Sequence, residues 1–389
     1  MSTKPGQGQI DEDWEGVLVE SLPTFAEAEE PADFRLALAA LVARVGDGHA
    51  NLLSRERATP PFGDSLLPVS VRFLGAQAVV AGYTHAELGP ASGLAPGDVI
   101  VELDGEPVEA LLAAWSPYYG ASNDAARHWL LSFSLTLGSP GPCSVHVERE
   151  GEYLELTPER ASASELQGNP LAWSHDRPGD AFRLLSDEVA YLKLSGFEAG
   201  KAEDYVRAAE GTRGWVIDIR GYPAEFAVFA LGGHLVGEPT PFARFTHGDL
   251  SNPGAFLWTE PLSLPPREPR YAGRVAILVD EASISQSEYT AMAFRAAPDA
   301  LVVGSTTAGA DGNVSMIPLP GGLLAMMSGI GVFYPDRTPT QRIGIVPDIE
   351  VVPTAAGLRE GRDEVLERAL RELLGDDSSD DEIRRLVRE

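Results

Sequence analysis

The chain has 389 residues, an apolar fraction of 44% and a formal net charge of −28 at pH 7. This length exceeds one ordinary domain and the apolar content can fill sizeable cores, so we expect about two or three folded domains rather than a disordered chain. The strong negative charge argues against nucleic acids and anionic membrane surfaces as partners. The single cysteine excludes an intramolecular disulfide and a cysteine-based metal site. No apolar run reaches the roughly 18 residues of a membrane span, so we expect none.

Residues 1–60 predict an N-terminal helical segment that ends in a glycine-rich turn. Helical spacing is shown by the apolar residues Phe34, Leu38, Leu41, Val42 and Val45. The turn Asp47-Gly48-His49 follows the helix end, where a histidine could serve as a base. A lone histidine in this position is more often a plain surface residue. The first ten residues are polar and glycine-rich and contain no signal-peptide core.

Residues 61–160 predict a β-rich domain. Val99–Leu103 is a strand between two tight turns, Pro96-Gly97 and Asp104-Gly105. The stretch from residue 90 to 108 resembles the PDZ signature, and a PDZ module captures an extended chain end at a sheet edge. An aromatic-rich insertion at residues 113–137 is longer than that resemblance requires.

Residues 161–375 predict an α/β core, and residues 376–389 an acidic flexible tail. Within the core, short apolar strands such as Trp215–Ile219 and Val275–Val279 alternate with helical segments. This alternation favours a largely parallel sheet.

The stretch 274–288 begins as a buried-strand pattern, breaks into a polar turn and resumes as a helix. A hydroxyl at such a turn stands at the carboxyl edge of a sheet, where helix-terminal N–H groups stabilise developing negative charge. Ser285 is therefore a candidate nucleophile. The other interpretation is that Ser283, Ser285 and Ser287 are turn and N-cap residues, and the local pattern taken alone favours it.

Two further turns, 220–224 and 304–310, follow strands of the predicted sheet. Because the carboxyl ends of parallel strands share one edge, these turns and Ser285 together predict a pocket. The seven histidines are scattered and no phosphate-binding glycine loop is present. We therefore expect neither a metal nor a cofactor.

Six pieces in chain order resemble the S41 serine peptidases, the family of carboxyl-terminal processing proteases and tricorn core proteases. They are Asp47-Gly48-His49, the PDZ-like segment, and residues 216–221, 283–288, 302–309 and 344–349. The resemblance implies a crotonase/ClpP-like α/β peptidase core with an inserted PDZ-like β-rich domain and an N-terminal helical segment. It also implies that Ser285 is the nucleophile.

The resemblance further implies that the oxyanion is held by the N–H of Gln286 and by an N–H of the 220–224 turn, at Gly221 or Ala224. Processing proteases usually carry a glycine pair where this chain has Ala224-Glu225. Their catalytic lysine corresponds to Ala310, and no lysine follows Lys201, which excludes a Ser-Lys dyad of that kind.

The tricorn-like branch uses a histidine as general base, and the matching residue is His49. The glutamate that orients the relay in that branch corresponds to Gln341, and the serine before the histidine corresponds to Gly48. An amide stabilises an imidazolium less than a carboxylate does, so the acid could come from elsewhere, with Asp47 as one candidate.

We therefore expect a serine-type peptidase that hydrolyses unstructured or C-terminal polypeptide segments, with polypeptides as its partners. The alternative is a weakly active or inactive protein that binds peptide or an apolar ligand on a peptidase scaffold. A third interpretation, CoA-ester chemistry on a crotonase-like core, leaves the PDZ-like segment without a place. Family habit favours an extracytoplasmic location although the chain as given shows no signal peptide. The sequence leaves oligomerisation open.

Overall fold

The computed structural model describes residues 13–162, 164–166, 174–252, 254–375 and 378–388. Its helices are α1 Trp14–Glu27, α2 Pro31–Ala43, α3 Leu88–Ala91, α4 Val108–Trp115, α5 Asp124–Ser132, α6 Ala202–Ala208, α7 Val228–Leu231, α8 Gln286–Arg295, α9 Ala355–Glu360, α10 Glu364–Leu374 and α11 Asp380–Arg388.

The strands are short and spread over the described ranges. They are β1 Asn51–Leu53, β2 Ser65–Leu66, β3 Val69–Leu74, β4 Gln77–Tyr83, β5 Val99–Leu103, β6 Glu106–Pro107, β7 Leu137–Gly138, β8 Gly141–Pro142, β9 Val145–Arg149, β10 Glu152–Leu156, β11 Glu159–Ser162, β12 Phe182–Ser186, β13 Val189–Lys193, β14 Gly214–Asp218, β15 Thr240–Gly248, β16 Phe256–Trp258, β17 Leu262–Leu264, β18 Arg274–Val279, β19 Leu301–Gly304, β20 Val314–Leu319, β21 Leu323–Ser328, β22 Gly331–Phe333 and β23 Ile349–Glu350.

The central sheet has the strand order β12-β13-β14-β18-β19-β23. From β13 to β23 the strands are parallel, and β12 is antiparallel at one edge. The inner strands are continuous apolar runs because both faces of the sheet are covered. This sheet confirms the predicted α/β core with its largely parallel strands.

Alternate residues of each inner strand enter two separate cores. On one face, Trp215 and Ile217 pack with α6, α7 and α8. On the other face, Val216 packs with α10 and α11. This period-2 division leaves the loops after β14, β18 and β19 together at the carboxyl edge, which positions the site.

The structure differs from the prediction of a flexible acidic tail at residues 376–389. Residues 380–388 form α11, whose Ile383, Leu386 and Val387 are buried in the core beside α10. Their i, i+3, i+4 spacing places them on one apolar face, while the acidic residues of the first turn suit the positive helix N-terminus. Of the predicted tail, residues 376, 377 and 389 lie outside the described residues.

A second sheet, with the order β10-β9-β5-β4-β3, is antiparallel and encloses its own apolar core. We call it the β-module. Its core includes Cys143, which is 0% exposed. The two turns noted in the sequence carry left-handed backbone angles at Gly97 and at Asp104-Gly105, with φ of 87°, 51° and 85°.

The amino-terminal segment is joined to the carboxyl-terminal half by a strand pair. β1 pairs antiparallel with β21, so that Asn51 lies opposite Met326, and β21 in turn pairs with β20. This pairing brings Asp47-Gly48-His49 close to the turn that carries Ser285. None of the helices in the described ranges has the length and apolarity needed to cross a membrane.

Candidate active site

Ser285 occupies a strained turn between β18 and α8. Its backbone angles are φ 57° and ψ −116°, a region that residues other than glycine rarely occupy. Its N–H donates to the carbonyl of Ala310 at 3.1 Å and to the Glu288 carboxylate at 3.2 Å. A serine held on a sharp strand-to-helix turn is the geometry of a nucleophile elbow, which exposes the hydroxyl above the sheet.

Glu288 lies buried beneath this turn and ties it to the loop after β19. Besides the Ser285 N–H, its carboxylate accepts from the Thr307 hydroxyl at 2.5 Å and from the N–H groups of Gly309 and Ala310 at 2.7 and 2.9 Å. Burial raises the pKa of Glu288 to about 7, and these donors oppose the rise. Glu288 therefore holds the loop after β19, which includes Ala310, against the turn that carries Ser285.

His49 is 6% exposed and belongs to a segment that packs on the turn carrying Ser285. A Cβ added to the preceding Gly48 would lie 2.8 Å from Ala310 Cβ and 3.8 Å from Ile284 Cδ1. Burial lowers the pKa of His49 below its usual range, and the Asp47 carboxylate opposes part of this shift. The imidazole is thus neutral at neutral pH, as a general base must be.

A serine that the sequence did not single out holds the imidazole. Ser328, at the end of β21, has its Oγ 2.9 Å from His49 Nδ1 and 3.0 Å from Asp47 Oδ1, and its N–H donates to Asp47 Oδ2 at 2.6 Å. The carboxylate is the stronger acceptor, so we assign the direction Nδ1–H to Oγ and Oγ–H to Asp47. This direction leaves Nε2 unprotonated and able to accept a proton.

Gln341 does not take the place at Nδ1 that the resemblance implied for it, since Ser328 occupies that place. The Gln341 amide donates to the carbonyls of Asp311 and Ile330, both at 2.8 Å, and its oxygen accepts from Val332 N–H at 3.4 Å. Gln341 thereby fixes the backbone around Ser328 rather than the ring. Asp47, the other candidate for the acid, reaches the ring through Ser328.

Of the predicted oxyanion-hole residues, Gln286 is the first residue of α8 and lines the same cavity as Ser285. Ala224 is a wrong prediction as a donor, because its N–H already donates to the Leu194 carbonyl at 2.9 Å. Gly221 remains the donor predicted from that turn. A Cβ at Gly221 would lie 2.9 Å from both Asp176 Oδ1 and Ser195 Cβ, so only glycine fits there.

Ser285 opens onto a cavity of about 630 Å³. Most of the wall is apolar or aromatic, and the lining residues are Tyr222, Phe226, Phe245, Ser285, Gln286, Tyr289, Asp311, Gly312, Asn313, Val314, Ile330 and Val332. A concave apolar site with a few polar groups is the usual form of a ligand pocket.

The aromatic-rich insertion at residues 113–137, which the sequence left unassigned, packs behind the turn that carries Ser285. Trp129 of α5 packs in one cluster with Ile284 and Ala310. The Asn123 amide donates to the Thr307 carbonyl at 2.8 Å, and the Ser122 hydroxyl accepts from Gly48 N–H at 2.8 Å. The insertion therefore supports the site. This contact explains why residues 113–137 are more than a PDZ-like domain requires.

One group in the described part of the chain has the ligand spacing of a metal site, namely His175, Asp280 and Glu281. The Arg72 guanidinium lies 3.2 Å from Asp280 and 2.8 Å from Glu281, and His175 Nδ1 lies 2.6 Å from Asp280. An arginine already supplies the positive charge, so this cluster is an ion pair between the β-module and the β18 loop.

This chain matches the model of one protein family over part of its length, and its fold is similar to that of several solved structures. The model of peptidase family S41 matches residues 238–351. A tricorn protease homolog of Streptomyces coelicolor is 23% identical over 401 residues, which cover 94% of this chain. The chain spans 30% of the length of that relative.

Among solved structures, mature CPAF has a TM-score of 0.73 at 15% identity and covers 96% of this chain and 94% of its own. The complex of mature CPAF with lactacystin gives a TM-score of 0.71 at 15% identity, over 99% and 94%. A peptidase from Parabacteroides merdae gives 0.54 at 16% identity, over 96% and 93%. The chain is therefore similar to peptidase family S41 over residues 238–351, and it shares its fold with these solved structures.

Proposed function

We propose that the protein is a serine-type peptidase in which Ser285 is the nucleophile and His49 the general base. The observation that carries the proposal is the joint geometry of two segments far apart in sequence. A strained serine opens onto a cavity, and a neutral, buried imidazole is held by Ser328 and Asp47. Gly48, the residue before His49, lies close to the same turn. A serine, an oriented base and a pocket are the parts that acyl transfer requires.

In the proposed reaction, His49 Nε2 takes the Ser285 proton while Oγ attacks the scissile carbonyl carbon. The N–H groups of Gln286 and Gly221 bind the oxyanion of the tetrahedral intermediate. His49 then gives the proton to the leaving amine, and the acyl-enzyme forms. A water molecule, deprotonated by the same imidazole, releases the carboxylic acid and restores the serine.

Ser285→Ala tests the assignment. We expect the variant to lose hydrolysis of a casein-like unfolded protein and covalent labelling by a fluorophosphonate, because both need the hydroxyl. Its circular dichroism and thermal midpoint should match those of the parent chain. Labelling absent from the parent chain would favour the alternative, a peptide-binding protein without turnover. Hydrolysis unchanged in Ser285→Ala would exclude Ser285 as the nucleophile.

For the substrate we propose unstructured or C-terminal polypeptide segments, captured by the β-module as a PDZ-like domain. The support is its six-stranded antiparallel sheet, which presents strand edges, and the Pro-Gly-Asp turn. In that turn Asp98 is fixed by Arg149 at 2.6 Å. An extended chain end can add to such a sheet through its backbone.

Capture of a chain end predicts a preference for a free carboxylate. One peptide is to be compared with its C-terminal carboxamide, which differs in that single group. We expect kcat/KM for the carboxamide to be about tenfold lower, because the carboxamide cannot form the charge-assisted hydrogen bonds of a carboxylate. Equal cleavage of the two peptides would contradict terminal capture while leaving the peptidase assignment intact.

A further inference from the structure

The strained backbone at Ser285 needs support from the residues around it. A residue other than glycine with φ 57° keeps that conformation only where neighbouring contacts fix it. On the helix side of Ser285, Glu288 supplies these contacts through its bonds to the loop after β19. On the strand side, residues 280–284 are held by a different set of contacts.

Asp280 fixes the strand side of the turn. It is 0% exposed, its Oδ1 accepts from the Ala282 N–H at 3.0 Å, and its own N–H donates to the Ser283 hydroxyl at 3.1 Å. The Ser283 hydroxyl in turn donates to the Ile219 carbonyl at 3.2 Å, at the end of the neighbouring strand. The backbone that leads into Ser285 is therefore fixed by the orientation of one buried carboxylate.

The groups that hold the Asp280 carboxylate come from distant segments. Arg72, on β3 of the β-module, lies 3.2 Å from Asp280 and 2.8 Å from the neighbouring Glu281. His175, which precedes the first strand of the central sheet, has its Nδ1 2.6 Å from Asp280 Oδ2. Glu281 also accepts from the Ser305 hydroxyl at 3.0 Å. Two carboxylates of the turn are thus bound by an arginine and a histidine that belong to other parts of the chain.

The charge of Asp280 makes these contacts necessary. Although burial alone would raise the pKa of Asp280, His175, Arg72 and Arg220 outweigh it and hold that pKa below its usual range. The carboxylate is therefore ionised, and an unpaired charge is costly away from water. Without its partners the side chain would turn toward water or take up a proton. Either response would release the backbone groups that Asp280 now holds.

We propose that Arg72 and His175 are positioning residues for the proposed hydrolysis, and that they hold Ser285 in its reactive conformation through Asp280. This inference rests on the proposed function. A positioning role differs from a purely stabilising one, because it predicts that the nucleophile loses reactivity in molecules that remain folded. It also gives the β-module a part in the chemical step that is separate from the capture of a chain end.

The reactivity of Ser285 is measured as the second-order rate constant for labelling by a small fluorophosphonate, which needs no polypeptide capture. His175→Leu in the full chain is the first variant, because the His175 side chain is partly exposed and its loss spares the apolar cores. We expect labelling to slow by about tenfold to a hundredfold, the usual cost of a misplaced reacting group. With a fluorogenic peptide, kcat should fall by a similar factor with little change in KM.

His175→Asn is the conservative partner of this variant. The asparagine amide nitrogen stands where Nδ1 stands in histidine and can donate to Asp280, so labelling should return to near the parent rate. Loss of general packing at position 175 would slow both variants alike.

Arg72→Gln tests the contact from the β-module, and we expect labelling to slow by at least tenfold. Arg359→Gln is the matched control. Arg359 also joins the core to the β-module, through Glu150 at 3.4 Å and the Gly97 carbonyl at 3.3 Å, rather than through the turn that carries Ser285. This control should be labelled at the parent rate. Circular dichroism gives the thermal midpoint of each variant, and all rates are compared below the unfolding transition.

Unchanged labelling in folded His175→Leu or Arg72→Gln, an equal loss in Arg359→Gln, or a His175→Asn variant as slow as His175→Leu would overturn the proposal. If Arg72→Gln does not fold, the two variants at position 175 decide alone. A parent chain that is labelled as fast as every variant would contradict the positioning role and leave the peptidase assignment intact. A parent chain that is not labelled at all would overturn both.

Discussion

His49→Ala is expected to lower kcat on unfolded protein by on the order of 10³-fold or more, with little change in KM. The imidazole is the group that removes the Ser285 proton and later protonates the leaving amine, and general acid–base catalysis contributes on this scale. Steady-state kinetics against a fluorogenic peptide provide the measurement. His128→Ala is a matched control, because this half-buried histidine stacks on Phe73 in the β-module, away from the cavity lining.

The two residues behind the ring should affect the pH profile as well as the rate. Activity needs neutral His49, whose pKa burial lowers from 6.5, so the acidic limb of kcat/KM should lie below pH 6.5. The Asp47 carboxylate raises that pKa, and Asp47→Asn should therefore move the limb to lower pH as well as reduce the rate. Ser328→Ala should reduce kcat by about tenfold to a hundredfold through loss of ring orientation. A limb that stays in place in Asp47→Asn would contradict the relay.

Arg220→Ala is expected to destabilise the fold by about 3–5 kcal/mol, a large share of the stability of an ordinary domain. Arg220 is 4% exposed and binds Asp218 at 2.6 Å and Asp363 at 2.8 Å. Its removal leaves the buried Asp218 without a cation and leaves Asp363 with Arg177 alone, at 2.9 Å. Equilibrium urea unfolding monitored by circular dichroism gives the free energy of unfolding.

The same cluster predicts how stability depends on acid. Although burial alone would raise the pKa of Asp363, Arg220 and Arg177 outweigh it and hold that pKa well below its usual range. A carboxyl group whose folded pKa is depressed contributes stability above its unfolded pKa of 3.8 and loses it as the pH falls toward the folded value. The parent chain should therefore lose stability steeply below about pH 3.8, and Arg220→Ala should show a shallower loss there.

Arg207→Ala is the control for this prediction, because Arg207 makes an exposed i, i+4 pair with Glu203. We expect no measurable change in its unfolding midpoint, since surface ion pairs contribute little. An Arg220→Ala variant as stable as this control would show that the cluster around Arg220 is not a determinant of stability.

Much of the core could be predicted from the sequence because its signals are local. The apolar runs at 215–219 and 275–279 have the composition of strands buried on both faces, and β14 and β18 occupy these positions. The strand-to-helix break at Ser285 is likewise local, because a turn serine followed by a helical pattern is visible within about ten residues. The motif order then favoured His49 as the base, whereas its local sequence alone favoured a plain surface residue.

The parts that could not be predicted depend on contacts between distant segments. Ser328 meets His49 only because β1 pairs with β21, and a three-residue strand gives no register signal. Ala224 looked available because its backbone partner, the Leu194 carbonyl, lies in a different loop. For residues 380–388 the charged composition led to the prediction of a flexible tail. The short apolar stripe of α11 becomes meaningful only when α10 is present to cover it.

The enclosed position of Cys143 has a practical consequence for experiments on this protein. Its sulfur lies in the core of the β-module at 0% exposure, and burial raises the pKa of the thiol to about 12. Thiol reagents attack the accessible thiolate, so the native chain behaves toward them as though it had no cysteine. A cysteine introduced at the cavity mouth or on the β-module surface would therefore carry a fluorophore or spin label alone. Distances between labels on the β-module and on the α/β core can then be measured without first replacing Cys143.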